Sequence, residues 1–189
     1  KYPDAKFTAF GGLCLNHPVG GLNPDAVETS LKLGAKVIWL PTNTAENHYR
    51  KNGKDPSKGV VVTRDGKAVD ELQDIFALVK QYNAVLATGH IGAEECFPVV
   101  EAARAAGVEK IVITHPEFWV VGMTPEQQAD IVRKYDVLLE SVYAQPVNGG
   151  YKINIPDNIA AMKAIGPEHF VISTDSGQTV NPYWYESYT

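Results

Sequence analysis

Cysteine is scarce in this sequence. Of 189 residues only Cys14 and Cys96 are cysteines, far apart and outside any CxxC spacing. They read as buried free thiols of a reducing cytosol, with a disulfide or a metal role as the lesser alternative. An excess of positive charge is also missing: 17 basic residues stand against 22 acidic ones, for a net charge of −5, and the signs are interspersed. Nucleic acid and anionic membrane surfaces both call for a basic patch, so neither is expected as a main partner. No apolar run approaches the roughly 20 residues of a membrane span. Residues 1–6 (KYPDAK) lack the apolar stretch of a secretory signal, and a cytoplasmic location is the expectation. Nucleotide-binding glycine patterns are absent too. Gly11-Gly12 falls within a strand-like run, and Gly20-Gly21 precedes a helix start without a GxGxxG or GK[ST] pattern. The second pair leaves a minor option, an anion held by backbone N–H groups at that helix start.

What is present is alternation. Apolar, β-rich runs occupy residues 7–15, 36–40 (KVIWL), 84–88 (AVLAT), 110–114 (KIVIT), 137–141 (VLLES) and 170–174 (FVIST). Helical patterns follow them. Asn23 and Pro24 open one that ends at Gly34. Leu72, Ile75, Leu78 and Val79 share a face in residues 70–82. Further helices are predicted over 93–106, after Thr124 with Gln127 as a capping box, and over 157–165. A polar stretch, residues 43–69, interrupts the rhythm as an insertion or lid, with a small hairpin predicted around Asp65-Gly66. A loop rich in glycine and asparagine follows the fifth strand.

Strands that are apolar throughout are buried on both faces, which makes the sheet parallel. Parallel strands joined by helical crossovers form either a doubly wound sheet or a closed eight-stranded barrel. Periodicity does not choose between them; the polar residues help. Three strands run directly into metal-competent side chains, His90, His115 and Asp175, at the rim where the loops of a barrel build their sites. Two imidazoles and a carboxylate suit zinc first, with manganese or iron as alternatives. Such an ion acidifies water and polarises a carbonyl. Around this trio, His17 follows the first strand, His48 and Arg50 lie in the polar insertion, and Glu140 ends VLLES; all four are candidates for contacting substrate. His169 precedes its strand and is assigned to the opposite face.

The segments HPVGGLNPDAVE (17–28), GAKVIWLPT (34–42), ATGH (87–90), ITHPEF (113–118) and STDSG (173–177) resemble the amidohydrolase-type metal-dependent hydrolases, which are TIM barrels. The resemblance is closest to an uncharacterised amidohydrolase-related group and covers nearly the whole chain. It implies that the chain supplies strands three to eight of a (β/α)8 barrel. His90 and His115 would then be the fifth- and sixth-strand metal ligands. Asp175 would be the eighth-strand ligand that also accepts the proton of the attacking water. The HxH pair of strand one has no counterpart here, and strand four ends in Leu40-Pro41-Thr42 without a bridging lysine, which favours one ion over two. A six-stranded piece of a barrel would expose its edges, so the remaining strands are expected elsewhere, from this chain or another segment. The abrupt ends, including Tyr183-Trp184-Tyr185, agree with a piece of a longer protein.

The expectation is therefore a single barrel domain over residues 1–189 that hydrolyses a small amide, lactone or related carbonyl compound, with homo-oligomerisation left open. A metal-dependent decarboxylase is a variant on the same scaffold. A metal-free barrel lyase or isomerase is the second class, disfavoured because no lysine stands at a strand's C-terminal end for a Schiff base. A non-enzymatic, degenerate barrel is the third.

Overall fold

The computed structural model describes residues 6, 8–147, 149–177, 179–183 and 185–187. Phe7, where the first strand was expected to start, and Trp184 of the C-terminal aromatic cluster lie outside the described residues.

The chain begins with β1 (Gly12–Cys14), α1 (Pro24–Lys32) and β2 (Val37–Trp39). The insertion holds α2 (Glu46–Lys51) and the pair β3 (Thr63–Arg64) and β4 (Lys67–Ala68). Next come α3 (Leu72–Gln81), β5 (Val85–Ala87), α4 (Ala93–Ala105), β6 (Lys110–Ile113), α5 (Pro125–Tyr135) and β7 (Leu138–Val142). A hairpin, β8 (Ala144–Val147) with β9 (Gly150–Ile153), leads to α6 (Ile155–Ile165) and β10 (Phe170–Ser173).

Six strands form one sheet in the order β1-β2-β5-β6-β7-β10, parallel at every pairing. That order is the chain order. A doubly wound sheet reverses direction partway, whereas strands laid down in sequence curl one way and keep their crossover helices on one face. The α/β fold is thus a partial TIM-barrel-like sheet of six strands.

The core forms where the sheet meets its helices. Leu72, Ile75, Phe76 and Val79 of α3 are completely buried, against a cluster containing Ile38, Leu86 and Ile113. Each such side chain contributes about 1.5–3 kcal/mol by leaving water. Local signals fix the boundaries. Asn23 accepts from the N–H groups of Asp25 and Ala26, capping α1. Thr124 and Gln127 form the reciprocal box at the start of α5. Asp65 and Gly66 both take positive φ, the turn that a tight two-residue hairpin needs.

Three expectations need correction. Among the described residues the first strand is Gly12–Cys14 rather than residues 7–15, because its pairing with the short β2 runs only from Gly12 opposite Val37 to Cys14 opposite Trp39. The Gly-Asn-rich loop after β7 is in fact the β8–β9 hairpin. The N–H groups near Gly20-Gly21 are not free for an anion: Gly20 donates to the His17 carbonyl and Gly21 to that of Asn16. No helix among the described residues is long and apolar enough to cross a membrane.

Candidate functional site

The C-terminal ends of the strands are tied together by side chains that continue the ladder beyond the sheet. Asn16, after β1, accepts from the N–H groups of Thr42 and Thr44 and donates to Thr42 Oγ1. His90 N–H donates to the Pro41 carbonyl, joining the ends of β5 and β2. Thr114 N–H donates to Thr88 Oγ1, and Gly89 N–H donates to Thr114 Oγ1, joining β5 to β6. Glu140 of β7 accepts from Ser173 Oγ of β10 at 2.8 Å. These ties set the height of each residue that follows its strand.

Gly89 is required where it stands. Its φ is +65°, and a Cβ would lie 2.5 Å from the Leu40 carbonyl oxygen and 2.7 Å from that of Pro41. Only glycine lets the chain turn this closely under β2 and present His90. Behind His90, the buried Asn47 of α2 donates to the carbonyls of His90 (3.0 Å) and Val120 (2.7 Å).

The rim encloses a cavity of about 340 Å³ lined by His90, His115, Glu140 and Asp175, with Cys14, Trp39, Thr42 and Asn43 on the β1–β2 side. Four of the seven expected site residues thus meet on one concave surface. His90 and His115 have ring centres 5.0 Å apart, and His115 packs flat on Phe118 at 3.9 Å. His115 and Asp175 both hold positive φ, +26° and +50°. Asp65, Asn83 and Asp136 share that conformation at a hairpin turn and after helices, where small polar residues tolerate it. For His115 the strain, of order 1–3 kcal/mol, has no such local excuse and marks a site where geometry is enforced.

Burial governs the charges. Desolvation pushes the His115 imidazole down to about 4 and that of His90 well below its usual value, with the neighbouring imidazoles adding to the effect. Both are neutral at pH 7, the form in which a ring nitrogen can bind a metal. Glu140 is raised by burial, offset by hydrogen bonds from Ser173 and from the His115 N–H.

The other expected residues sit elsewhere. His48 does not line the cavity but meets His90, Nδ1 to Nδ1, at 2.7 Å. His17 is exposed, with Nε2 2.7 Å from the Lys58 carbonyl. Arg50 is exposed and pairs with Glu46 within α2. His169 precedes β10, at the opposite end of that strand from the cavity.

The donor chemistry fits a divalent ion. Two neutral imidazoles and two carboxylates share the cavity, and the buried Nδ1 of His115 meets no protein partner. Among the described residues no three His, Cys, Asp or Glu side chains already stand in coordinating positions, so the donors surround the cavity without converging on one point.

Sequence reasoning missed several residues here. Thr88 and Thr114 carried a signal, a threonine just ahead of each strand-end histidine segment. Asn47 carried none, being one polar residue in a polar stretch. Glu117, adjacent to the His115-Pro116 step, is pushed up to about 7 by burial and is bonded by Asn154. It lines a different cavity, beside α5 and α6.

A family described as being of unknown function, DUF6282, matches residues 2–140. The chain belongs to that family. The DUF6282 match spans His48, His90, His115 and Glu140 and ends before Asp175. None of the curated proteins compared with the chain matches it. Among solved structures, the fold is similar to that of an amidohydrolase from Pseudomonas aeruginosa, with a TM-score of 0.55 and 14% identity. The likeness covers 87% of this chain and 49% of that one, so this chain spans about half the length of the amidohydrolase. At that identity the likeness concerns the fold.

Proposed function

We propose that this member of DUF6282 is a hydrolase whose catalytic centre holds one divalent ion, zinc first with manganese or iron as alternatives, and attacks a small carbonyl compound with water. The observation that carries this reading is the meeting of His90, His115, Glu140 and Asp175 on one rim cavity, with both imidazoles neutral. An amidohydrolase-like fold agrees with it.

In this reading His90, His115 and Asp175 hold the ion, which when bound supplies Lewis acidity toward water and a carbonyl oxygen. Asp175 takes the proton of the attacking water. The strained backbone of His115 holds its imidazole at the rim before substrate arrives, so little reorganisation is needed during the reaction. Thr42, Asn43 and Trp39 form the wall against which substrate lies. A cavity of about 340 Å³ suits a small molecule rather than a polymer.

The test is hydrolysis of a panel of amides, esters and lactones by the zinc-loaded protein. Asp175→Asn should lower kcat by about 10²–10⁴-fold. Full kcat in that variant would remove Asp175 from the mechanism.

A further inference from the structure

His48 and His90 face each other in an unusual way. Their Nδ1 atoms are 2.7 Å apart, their ring centres 4.9 Å, and their planes differ by only 16°. With planes nearly parallel, the centres exceed the nitrogens in separation by the two ring radii, so centre, nitrogen, nitrogen and centre lie almost on a line. The rings therefore meet edge to edge in nearly one plane, which is the geometry of a straight N–H···N hydrogen bond. Two ligands of one tetrahedral ion would instead aim their lone pairs at a shared point and stand roughly 3.3 Å apart, given metal–nitrogen bonds of about 2.0–2.1 Å. The contact is a hydrogen bond between two histidines and not half of a coordination shell.

Such a bond needs one Nδ1 protonated and the other bare. His90 lines the rim cavity and His48 does not. With His90 Nδ1 engaged, the ring nitrogen left for the cavity is Nε2. We propose that His48 is a positioning residue: it accepts the Nδ1–H of His90, fixing the tautomer whose Nε2 lone pair faces the cavity. The inference rests on the reading of His90 as a metal ligand, and it gives His48 a role through His90 in place of a contact with substrate. Metal-binding histidines commonly donate their second ring N–H to such a partner, which sets ring orientation and raises basicity.

The bond also links the insertion to the site. His48 is on α2, whose neighbouring Asn47 holds the His90 carbonyl, so one short helix grips His90 by its backbone and by its ring. Trp119, 6.2 Å from His48 between ring centres, flanks the pair.

The experiment is long-range ¹⁵N–¹H correlation NMR of the histidine rings in the metal-free protein, followed by zinc titration against a competing chelator. Two variants separate hydrogen bonding from packing. His48→Phe keeps a flat ring without an acceptor, and His48→Asn keeps an acceptor oxygen near the Nδ1 position. In the wild type His90 should show the Nδ1–H tautomer, the reverse of the Nε2–H form that a free histidine side chain prefers. His48→Phe should return His90 toward Nε2–H and weaken zinc binding by about 10–100-fold, and His48→Asn should restore most of both. An Nε2–H signal for His90 in the wild type, or a His90 tautomer and zinc affinity unchanged in His48→Phe, would overturn the proposal. Failure of the wild type to take up zinc would instead overturn the metal reading of the site, while the tautomer measurement still decides the role of His48.

Discussion

The side-chain amide of Asn47 spans the carbonyls of His90 and Val120, 3.0 Å from one and 2.7 Å from the other, while only 4% exposed. A six-residue helix of the insertion is thereby bolted to the loops that follow β5 and β6.

Removing that amide should be costly. Asn47→Ala leaves two carbonyl acceptors without their donor, and each such loss costs about 1–3 kcal/mol. The expected outcome is a destabilisation of about 2–4 kcal/mol by urea unfolding. Asn47→Asp should be at least as damaging, because a carboxylate would face two carbonyl oxygens. A change below about 0.5 kcal/mol, the usual range for surface substitutions, would contradict the role assigned to this contact.

Gly89→Ala combines a positive φ with a Cβ 2.5 Å from the carbonyl oxygen of Leu40, a residue whose own N–H is bonded to the Ala87 carbonyl. Neither the strain nor the clash can be relieved by moving a flexible side chain. A loss of about 2–4 kcal/mol in unfolding free energy is expected. By contrast Gly53→Ala, also at positive φ but with nothing within 4 Å, should cost only about 1 kcal/mol. Equal effects at the two positions would argue against close approach at Gly89.

Buried groups make stability depend on pH in opposing ways. His115 falls from 6.5 to about 4 on folding. Its contribution is therefore present above pH 6.5 and is lost as pH falls toward 4, by about 3 kcal/mol in all. Glu117 rises from 4.5 to about 7. Its contribution is present below pH 4.5 and is lost as pH rises through 7. Between these limits the two slopes oppose each other. Glu117→Gln in the metal-free protein should unmask the histidine slope, so the urea midpoint climbs steadily from pH 4 to 6.5. A slope over that window no steeper in the variant than in the wild type, with the raised Glu140 acting equally in both, would contradict the opposing role of Glu117.

Much of this arrangement was legible in the sequence, for reasons particular residues make plain. The strand-end positions of His90 and His115 followed from the apolar runs AVLAT and KIVIT, because a largely buried strand leaves few polar residues to misplace; Asp175 followed from FVIST, although Val171 and Ile172 of that strand are exposed. The Thr124–Gln127 box and the Asp65-Gly66 turn are local chemistry, and both formed as expected. The helix Glu46–Lys51 was invisible because it is short, polar and begins at Ala45 without a side-chain cap. The pairing of His48 with His90 was hidden for a different reason: residues 42 apart were brought together by the packing of α2, which no spacing rule encodes. The same holds for His17 and Arg50. His17 was expected at the rim and Arg50 on an anionic group of the substrate, yet their side chains reach Lys58 and Glu46 instead.

The most direct measurement is the metal content of the purified protein, by elemental analysis after exposure to zinc, manganese or iron(II), in the wild type, His90→Ala and His115→Ala. About one divalent ion per chain in the wild type, lost in both variants while their circular dichroism stays native, is the result expected of a rim site built on these two imidazoles. A wild type that takes up none of the three ions, or variants that keep the ion, would contradict it.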